Sequence, residues 1–359
     1  MEEKVAIDAR MIESSGIGTY IRNLMGQGIY DVALGDEESI RKYDRDVTVI
    51  PFKDNIYGIG EQIHFPYREL KKLGITKLHS PHYNIPLFFR GKLVVTIHDL
   101  IHLRLPEYLP NKFAYGYAWI MLKTSAVKAK LILTVSEYTK KDITELLHIS
   151  PEKIQVTYNA LEEGYRIKRK EEYAYLYKEY GIAEDEKILL YVGNLKPHKN
   201  LGRLIQAFSQ ISILKARLIL VGKEFSNQDI HREITRRNIQ DKVIVAGKVS
   251  HSKLIDLYNF ADVFVFPSLY EGFGFPPLEA MACGTVVACS NAASLPEVVG
   301  EAGFLFDPVD IEQMRAKIEN ALMLNKYTYD QMVKKGYERV SFYNKEKVIG
   351  LTDELIKSI

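Results

Sequence analysis

The chain predicts an α/β protein built from two doubly wound, Rossmann-like domains that face a central cleft. Three observations carry this. Short apolar, β-branched runs alternate with longer amphipathic ones, the pattern of parallel sheets covered by helices on both faces. The alternation runs through the sequence twice, and a polar, charged segment at 162–172 separates the two series. With 359 residues, 47% hydrophobic and 26% charged, the chain is long enough for two cores.

In the first half the strand-like runs are 5–8, 47–51, 77–79, 93–97, 131–135 and 155–158, with helical stretches around 20–25, 60–72, 111–127 and 137–147. In the second half the runs are 188–192, 217–221, 242–246, 263–266, 285–288 and 303–306, joined by helices around 201–213, 229–237, 252–260 and 310–322. The expected domains are therefore 1–163 and 164–342, followed by a last helix at 343–359. In folds of this class ligands bind at the carboxyl ends of the strands, so the loops there are where chemistry is expected.

Composition removes several function classes. A formal net charge of +2, with basic residues scattered along the chain, gives no support for nucleic-acid binding. The two cysteines, Cys283 and Cys289, read as small core residues in a reducing compartment, without disulfide or metal-ligand spacing. The opening MEEKVAIDAR is unlike a signal or transit peptide, and no apolar run reaches the length of a membrane span. A cytoplasmic location is the expectation.

The stretch SLYEGFGFPPLEAMACGTVVACSNAASLPE, 268–297, is the most informative. It sets Glu271 and Glu279 eight residues apart around a Gly/Pro-rich turn and a helix start. Gly272 and Gly274 allow positive φ and close approach to a ligand, and Pro276-Pro277 suits a first helical turn. The N-terminal amides of that helix form a site for a diphosphate. A carboxylate does not belong on phosphate, so Glu279 is expected to accept from ribose hydroxyls and Glu271 from the sugar. Each glutamate alone reads more readily as a dipole complement or a solvated loop acid; the pair within this turn favours a site.

The loop after the second half's first strand reads VGNLKPHKN, 192–200, and leads into the helix LGRLIQAF. Gly193 permits a sharp exit, and Lys199, just before the helix, is placed to meet phosphate with its own charge and the helix amides. Gly222 and Gly247 each end a strand, which suits backbone passing close beside a planar base.

These residues carry a family resemblance along nearly the whole length. EGFGFPPLEA resembles the EX7E motif of retaining nucleotide-sugar glycosyltransferases, and VGNLKPHKN their phosphate-binding loop. SGIGTY, EQIHFP, LHSPHYNIP, VVTIHDLIHLRLPEY and LILTVSEYTKKDI in the first half, and VIVAGKVSHSKLIDLYNFADVFVFPS and SNAASLPEVVGEAG in the second, resemble further segments. The chain is similar to members of glycosyltransferase family 4, with the GT-B fold. The resemblance implies that the second domain binds the nucleotide sugar and the first the acceptor, with the last helix packing back on the first. It implies that Glu271 contacts the donor sugar and Glu279 the ribose, and that Phe273, Gly274 and Phe275 line the sugar-phosphate loop. Lys199 would neutralise the diphosphate, Gly16 and Gly18 would admit it from the first domain, and His98 would bond the transferred sugar near its anomeric centre. Asp99 would orient the loop or the histidine. Asn194, Gly247 and Lys248 fall among the donor-binding positions.

One departure stands out: many relatives carry Arg where this chain has Asn194, leaving Lys199 as the clean match, with Lys196 or Arg203 as substitutes. Relatives sharing this loop often transfer mannose or related sugars in bacterial polysaccharide assembly, which favours GDP-mannose, with a UDP-sugar next. Lysine and helix amides can meet the phosphate charge, so no metal or other cofactor is expected. The resulting expectation is a retaining, metal-independent hexosyltransferase acting on a glycan or lipid-linked saccharide. The alternatives are a nucleotide-sugar epimerase of the same architecture and a non-catalytic nucleotide-sugar-binding subunit. The segment 111–130 combines Tyr115, Tyr117 and Trp119 with Lys112, Lys123, Lys128 and Lys130. It reads first as a core helix with snorkelling lysines, and second as a peripheral membrane contact.

Overall fold

In the computed structural model, which describes residues 3–54, 56, 60–223 and 228–359, each half of the chain forms one parallel sheet. Met1 and Glu2, where the N-terminal reading begins, lie outside the described residues. The chain divides into two compact units, one ending at Glu162 and taking back Tyr343–Ile359, the other Glu163–Phe342.

The first unit contains β1 (Lys4–Asp8), β2 (Val32–Gly35), β3 (Thr48–Pro51), β4 (Ile75–Ser80), β5 (Lys92–Ile97), β6 (Leu131–Thr134) and β7 (Ile154–Val156), in the order β3-β2-β1-β4-β5-β6-β7. Its helices are α1 (Ile17–Leu24), α2 (Glu37–Arg41), α3 (Gly60–Ile63), α4 (Tyr67–Lys72), α5 (Ile101–Arg104), α6 (Lys112–Lys128) and α7 (Glu137–Leu147). Strand residues alternate between two cores, Ala6, Leu78 and Val95 on one face and Val5, Ile7, Val94 and Leu133 on the other.

The second unit contains β8 (Lys187–Val192), β9 (Ala216–Val221), β10 (Val243–Gly247), β11 (Val263–Phe266), β12 (Val286–Ser290) and β13 (Gly303–Phe306), in the order β10-β9-β8-β11-β12-β13. Around it lie α8 (Lys170–Tyr173), α9 (Tyr175–Tyr180), α10 (Leu201–Ser209), α11 (Gln228–Arg236), α12 (His251–Phe260), α13 (Phe275–Ala282), α14 (Leu295–Val299), α15 (Ile311–Leu322) and α16 (Lys326–Phe342). Val263 and Val265 enter one core, Phe264 and Phe266 the other. The final helix, α17 (Lys345–Ser358), packs on the first unit. Ile349 and Ile356 join that unit's core, and buried Lys77 donates to the carbonyls of Ile356 and Lys357, both at 3.0 Å.

Several expectations change. The run 31–36 had no strand assigned, yet β2 is an inner strand of the first sheet. Four residues are too few to show a period, and the flanking acids have local tasks: Asp31 accepts from the Val5 amide and Asp36 caps α2 through the Ser39 amide. The stretch 60–72 is two helices, because Pro66 has no amide to continue the first. The polar segment expected to be a linker is tied down within the second unit, where Lys168 Nζ lies 2.6 Å from Asp256 and Asn259 bonds the main chain of Lys168 and Arg166.

Both sheets share one topological consequence. The chain reverses its direction of winding between β1 and β4 in the first unit and between β8 and β11 in the second. Helices leave opposite faces there, and the strand carboxyl ends open a crevice for ligands.

Candidate functional site

In the second unit, the loops after β8 and β11 flank that switch point, and they carry Lys199 and Glu271. Lys199 Nζ lies 2.6 Å from Glu271 Oε1, with both side chains about six-sevenths covered, and 5.3 Å from the centre of the Phe266 ring. Two tethers hold the two loops together, and a third clamps the loop of Glu271. The Leu269 amide donates to the His198 carbonyl at 2.7 Å. Asn200, left-handed at φ 59, spends its side-chain amide on the carbonyls of Pro267 and Pro308 and does not cap α10. Ser294 Oγ donates to the carbonyls of Glu271 at 2.9 Å and Phe273 at 2.7 Å, fixing the acid-bearing loop from behind.

Gly274 sits at φ 122, and a Cβ there would come within 2.7 Å of Leu295. Only glycine fits both the dihedral and the space. Gly193 and Gly272 are not among the positive-φ glycines; a Cβ on Gly193 would meet the Tyr191 hydroxyl at 2.6 Å, so space is what demands glycine there. Phe273 is buried and packs edge-on to half-buried Phe275, ring centres 5.4 Å apart. Glu279, on α13, accepts from Tyr258 Oη at 2.6 Å. Burial, with Glu279 beside it, holds the Tyr258 phenol well above its ordinary pKa, so it stays a donor. The helix start offers fewer amides than expected, because Pro276 and Pro277 occupy two of its leading positions.

The candidate cations near this loop are held differently. Arg203 is exposed and its Nη1 donates to Asn200 Oδ1 at 2.9 Å, while Lys196 is exposed and Asn194 half-buried. Lys199 is the cation brought to Glu271. At the strand ends, Gly222 donates to the Gly247 carbonyl at 2.9 Å, and a Cβ on Gly247, at φ 66, would meet nothing within 4 Å among the described residues. Lys248 follows it, exposed.

The first unit treats its switch point differently, with buried charge. Arg10 clasps Asp8 at 2.9 and 2.6 Å and reaches Glu61 at 3.2 Å. His82 Nε2 is 3.2 Å from Asp8, and Asn84 donates to Glu61 at 2.9 Å and to Tyr117 Oη at 3.3 Å. Burial pushes the Asp8 carboxyl up, but Arg10 and His82 outweigh it and hold the group below the usual carboxylate range. His82 Nδ1 and Asn84 Oδ1 are buried and have no hydrogen-bond partner among the described residues.

His98 follows β5, with its ring edge-on to Tyr20 of α1, centres 5.0 Å apart. Its Nε2 is 3.0 Å from the Pro81 carbonyl, and burial lowers its pKa to about 4. A carbonyl only accepts, so the neutral ring carries its proton on Nε2 and presents Nδ1 as an acceptor. Asp99 accepts from the Ile101 amide at 3.0 Å, orienting the turn into α5. Gly16 precedes α1 in open space, whereas a Cβ on Gly18 would strike the Ile12 carbonyl at 2.6 Å.

Residues 176–339 match the family described as "Glycosyl transferases group 1", and residues 31–163 match "Glycosyltransferase Family 4". The O-antigen chain mannosyltransferase RfbU of Salmonella typhimurium is 31% identical over 255 residues, covering 70% of this chain and 67% of the relative. The chain belongs to glycosyltransferase family 4. This family member is also 36% identical over 248 residues to O-antigen chain mannosyltransferase B of Escherichia coli, across 68% of this chain and 64% of that one. The match to serotype-specific mannosyltransferase WbdA of Escherichia coli spans only 30% of that protein. Solved structures share the fold, GT-B with two Rossmann-like units. Anabaena HepE in complex with UDP and glucose gives a TM-score of 0.81 at 18% identity over 100% of both chains. Sucrose-phosphate synthase from Thermosynechococcus elongatus gives 0.81 at 19% identity, over 100% of this chain and 99% of that one.

Sequence reasoning left Ser294, Asn200 and Tyr258 of this glycosyltransferase family member without roles, together with Asp8, Arg10, Glu61, His82 and Asn84. A signal existed for the last group: charged and polar residues at the carboxyl ends of two strands that flank a switch point. Tyr258 gave none, since a tyrosine on an amphipathic helix reads as core.

Proposed function

We propose that this protein transfers a hexosyl group, with retention, from a nucleoside diphosphate sugar to a glycan or lipid-linked saccharide. GDP-mannose is the favoured donor and a UDP-sugar the next. The observation that carries this reading is the pairing of Lys199 with Glu271 on the two loops that flank the second unit's switch point. The named relatives are O-antigen mannosyltransferases, which supports mannose and a saccharide acceptor, and a structural neighbour holds UDP and glucose, which keeps UDP-sugars in view.

On this reading the second unit binds the donor. Lys199 and the start of α10 stabilise the charge that develops on the departing diphosphate. Glu271 accepts from sugar hydroxyls and Glu279 from the ribose. Phe273, Gly274 and Phe275 bring main chain to the sugar, and Asn194, Gly247 and Lys248 border the nucleotide. The first unit binds the acceptor. His98 Nδ1 accepts from a hydroxyl of the transferred sugar, and Gly16 and Gly18 admit the diphosphate. Attack from the leaving-group face lets the departing phosphate take the acceptor's proton. Lysine and amides meet the phosphate charge without a metal ion.

The test is turnover of GDP-mannose and UDP-sugars with saccharide acceptors, reading the product's anomeric configuration. Glu271→Ala should abolish turnover while leaving diphosphate binding intact or tighter, because the change removes a carboxylate that holds Lys199. Conversion of donor without acceptor would move the reading to an epimerase, and binding without turnover on any acceptor to a non-catalytic subunit.

A further inference from the structure

Arg22, on α1, gathers two segments that lie far apart in the sequence. Its Nη1 donates to the carbonyls of Ile12 at 2.7 Å and Ser14 at 3.5 Å, in the loop between β1 and α1. Its Nε and Nη2 hold Glu162 Oε1 at 2.7 and 2.6 Å, and Nη2 also donates to Thr19 Oγ1 at 2.9 Å. Glu162 is the residue at which the chain leaves the first unit. The next residue of α1, buried Asn23, donates to the Ala160 carbonyl at 2.8 Å, so two consecutive side chains fix that exit. Every nitrogen of the Arg22 guanidinium is engaged and the side chain is 16% exposed, so it acts on the loop and not on a ligand.

Gly18 serves the same clamp. It is buried one helical turn before Arg22, on the same face of α1. A Cβ there would come within 2.9 Å of Arg22 Nη1 and 2.6 Å of the Ile12 carbonyl, so any larger residue would push the guanidinium off the loop. Gly16 differs: it is exposed, and a built Cβ meets nothing within 4 Å among the described residues. The amides of Ser15 and Gly16 bond no described residue, while the turns on either side are closed, Ser14 to the Met11 carbonyl at 2.9 Å and Gly18 to the Ser15 carbonyl at 2.7 Å. The loop thus presents two free donors at the carboxyl end of β1, a strand of the switch point, from a turn whose carbonyls are held from behind.

We propose that Arg22 is a positioning residue for the donor: it sets the amides of Ser15 and Gly16 to meet the diphosphate and ties their position to the exit segment at 160–162. This rests on the proposed function, in which the loop of Gly16 admits the diphosphate. A guanidinium suits the task because it offers five N–H donors in a rigid planar fork. An ammonium has a single nitrogen and cannot hold the loop carbonyls and Glu162 at the same separation. A preset loop spends no binding free energy on ordering, so loosening it costs affinity for the charged part of the ligand.

The test uses the intact chain, with GDP, UDP and their nucleosides as probes. In calorimetry, Arg22→Ala and Arg22→Lys should each weaken binding of whichever diphosphate wild type takes by roughly tenfold and leave its nucleoside unchanged. A dissociation constant does not depend on how much of a variant is folded. In hydrogen exchange, the amides at 13–18 should exchange at least roughly tenfold faster in both variants than in wild type. Full recovery of affinity in Arg22→Lys overturns the proposal, since charge without the fork would then suffice. Unchanged diphosphate affinity in both variants, beside a loss in Lys199→Ala, overturns it and leaves the donor reading standing. Equal losses for diphosphate and nucleoside also overturn it, because Arg22 would then only support the fold. Wild type that binds neither diphosphate removes the donor reading, and the proposal with it.

Discussion

The two units place polar groups at equivalent points of the same fold and handle them in opposite ways. In the second unit, Lys199 and Glu271 sit on loops, partly accessible, held by tethers that run mostly through main-chain carbonyls. In the first, Asp8, Arg10, Glu61, His82 and Asn84 form a largely buried network, and a second buried chain runs from Tyr30 through His79 and Thr96 to Tyr20. A side chain that must meet incoming charge is best positioned by its backbone and left reachable. A side chain that shapes a strand end can be buried where its charge is paired. Changes in the second unit should therefore cost function with little stability, and changes in the first should cost stability.

Asp8→Ala gives the largest expected effect on folding. It leaves the Arg10 guanidinium buried without its main partner, a situation that costs about 3–5 kcal/mol. Urea unfolding of the intact chain checks this, and a loss below about 1 kcal/mol, the range of an exposed ion pair, would erase the contrast between the units.

Acid should act on the first unit next. Burial lowers the pKa of His79 to about 3 and of His98 to about 4, against an ordinary value of 6.5. The unfolded chain therefore binds protons that the folded chain refuses, and stability falls as pH drops from 6.5 toward 4. Each group contributes about 1.4 kcal/mol per pH unit. The depressed Asp8 carboxyl adds its own loss only near and below its unfolded value of 3.8. Urea titrations across this range should show a shallower slope for His79→Asn than for wild type; equal slopes would remove His79 from the account.

A smaller effect belongs to the loop that supports Glu271. Ala293 is held at φ 52, just before Ser294. Glycine there relieves roughly 1–2 kcal/mol of steric cost and adds roughly 0.4–1 kcal/mol of unfolded-chain entropy. Ala293→Gly should thus raise the melting temperature by about a degree or two. A clear drop would mean that the strain is coupled to the Ser294 clamp.

How legible each region was follows from the same contrast. The sequence showed all six strands of the second sheet, because each is an apolar run bounded by charge or glycine. It missed β2, an inner strand of four residues whose flanking acids resemble a loop. The turns and helix start that carry Lys199, Glu271 and Glu279 were legible because glycine and proline mark them. Ser294 and Asn200 were not, since their work is done on carbonyls that no pattern reveals until the loops are brought together. The network of the first unit hid for another reason. His82 and Asn84 are separated by more than seventy residues from Asp8, and burial makes their segments read as core.

The central claim is that Lys199 meets the diphosphate of the donor. The most direct measurement compares the affinities of wild type and Lys199→Ala for GDP and for guanosine, by calorimetry or by thermal shift. The account predicts a loss of roughly tenfold or more for GDP and little change for guanosine. Equal losses for the two ligands would contradict it, because Lys199 would then act on the shape of the pocket and not on phosphate.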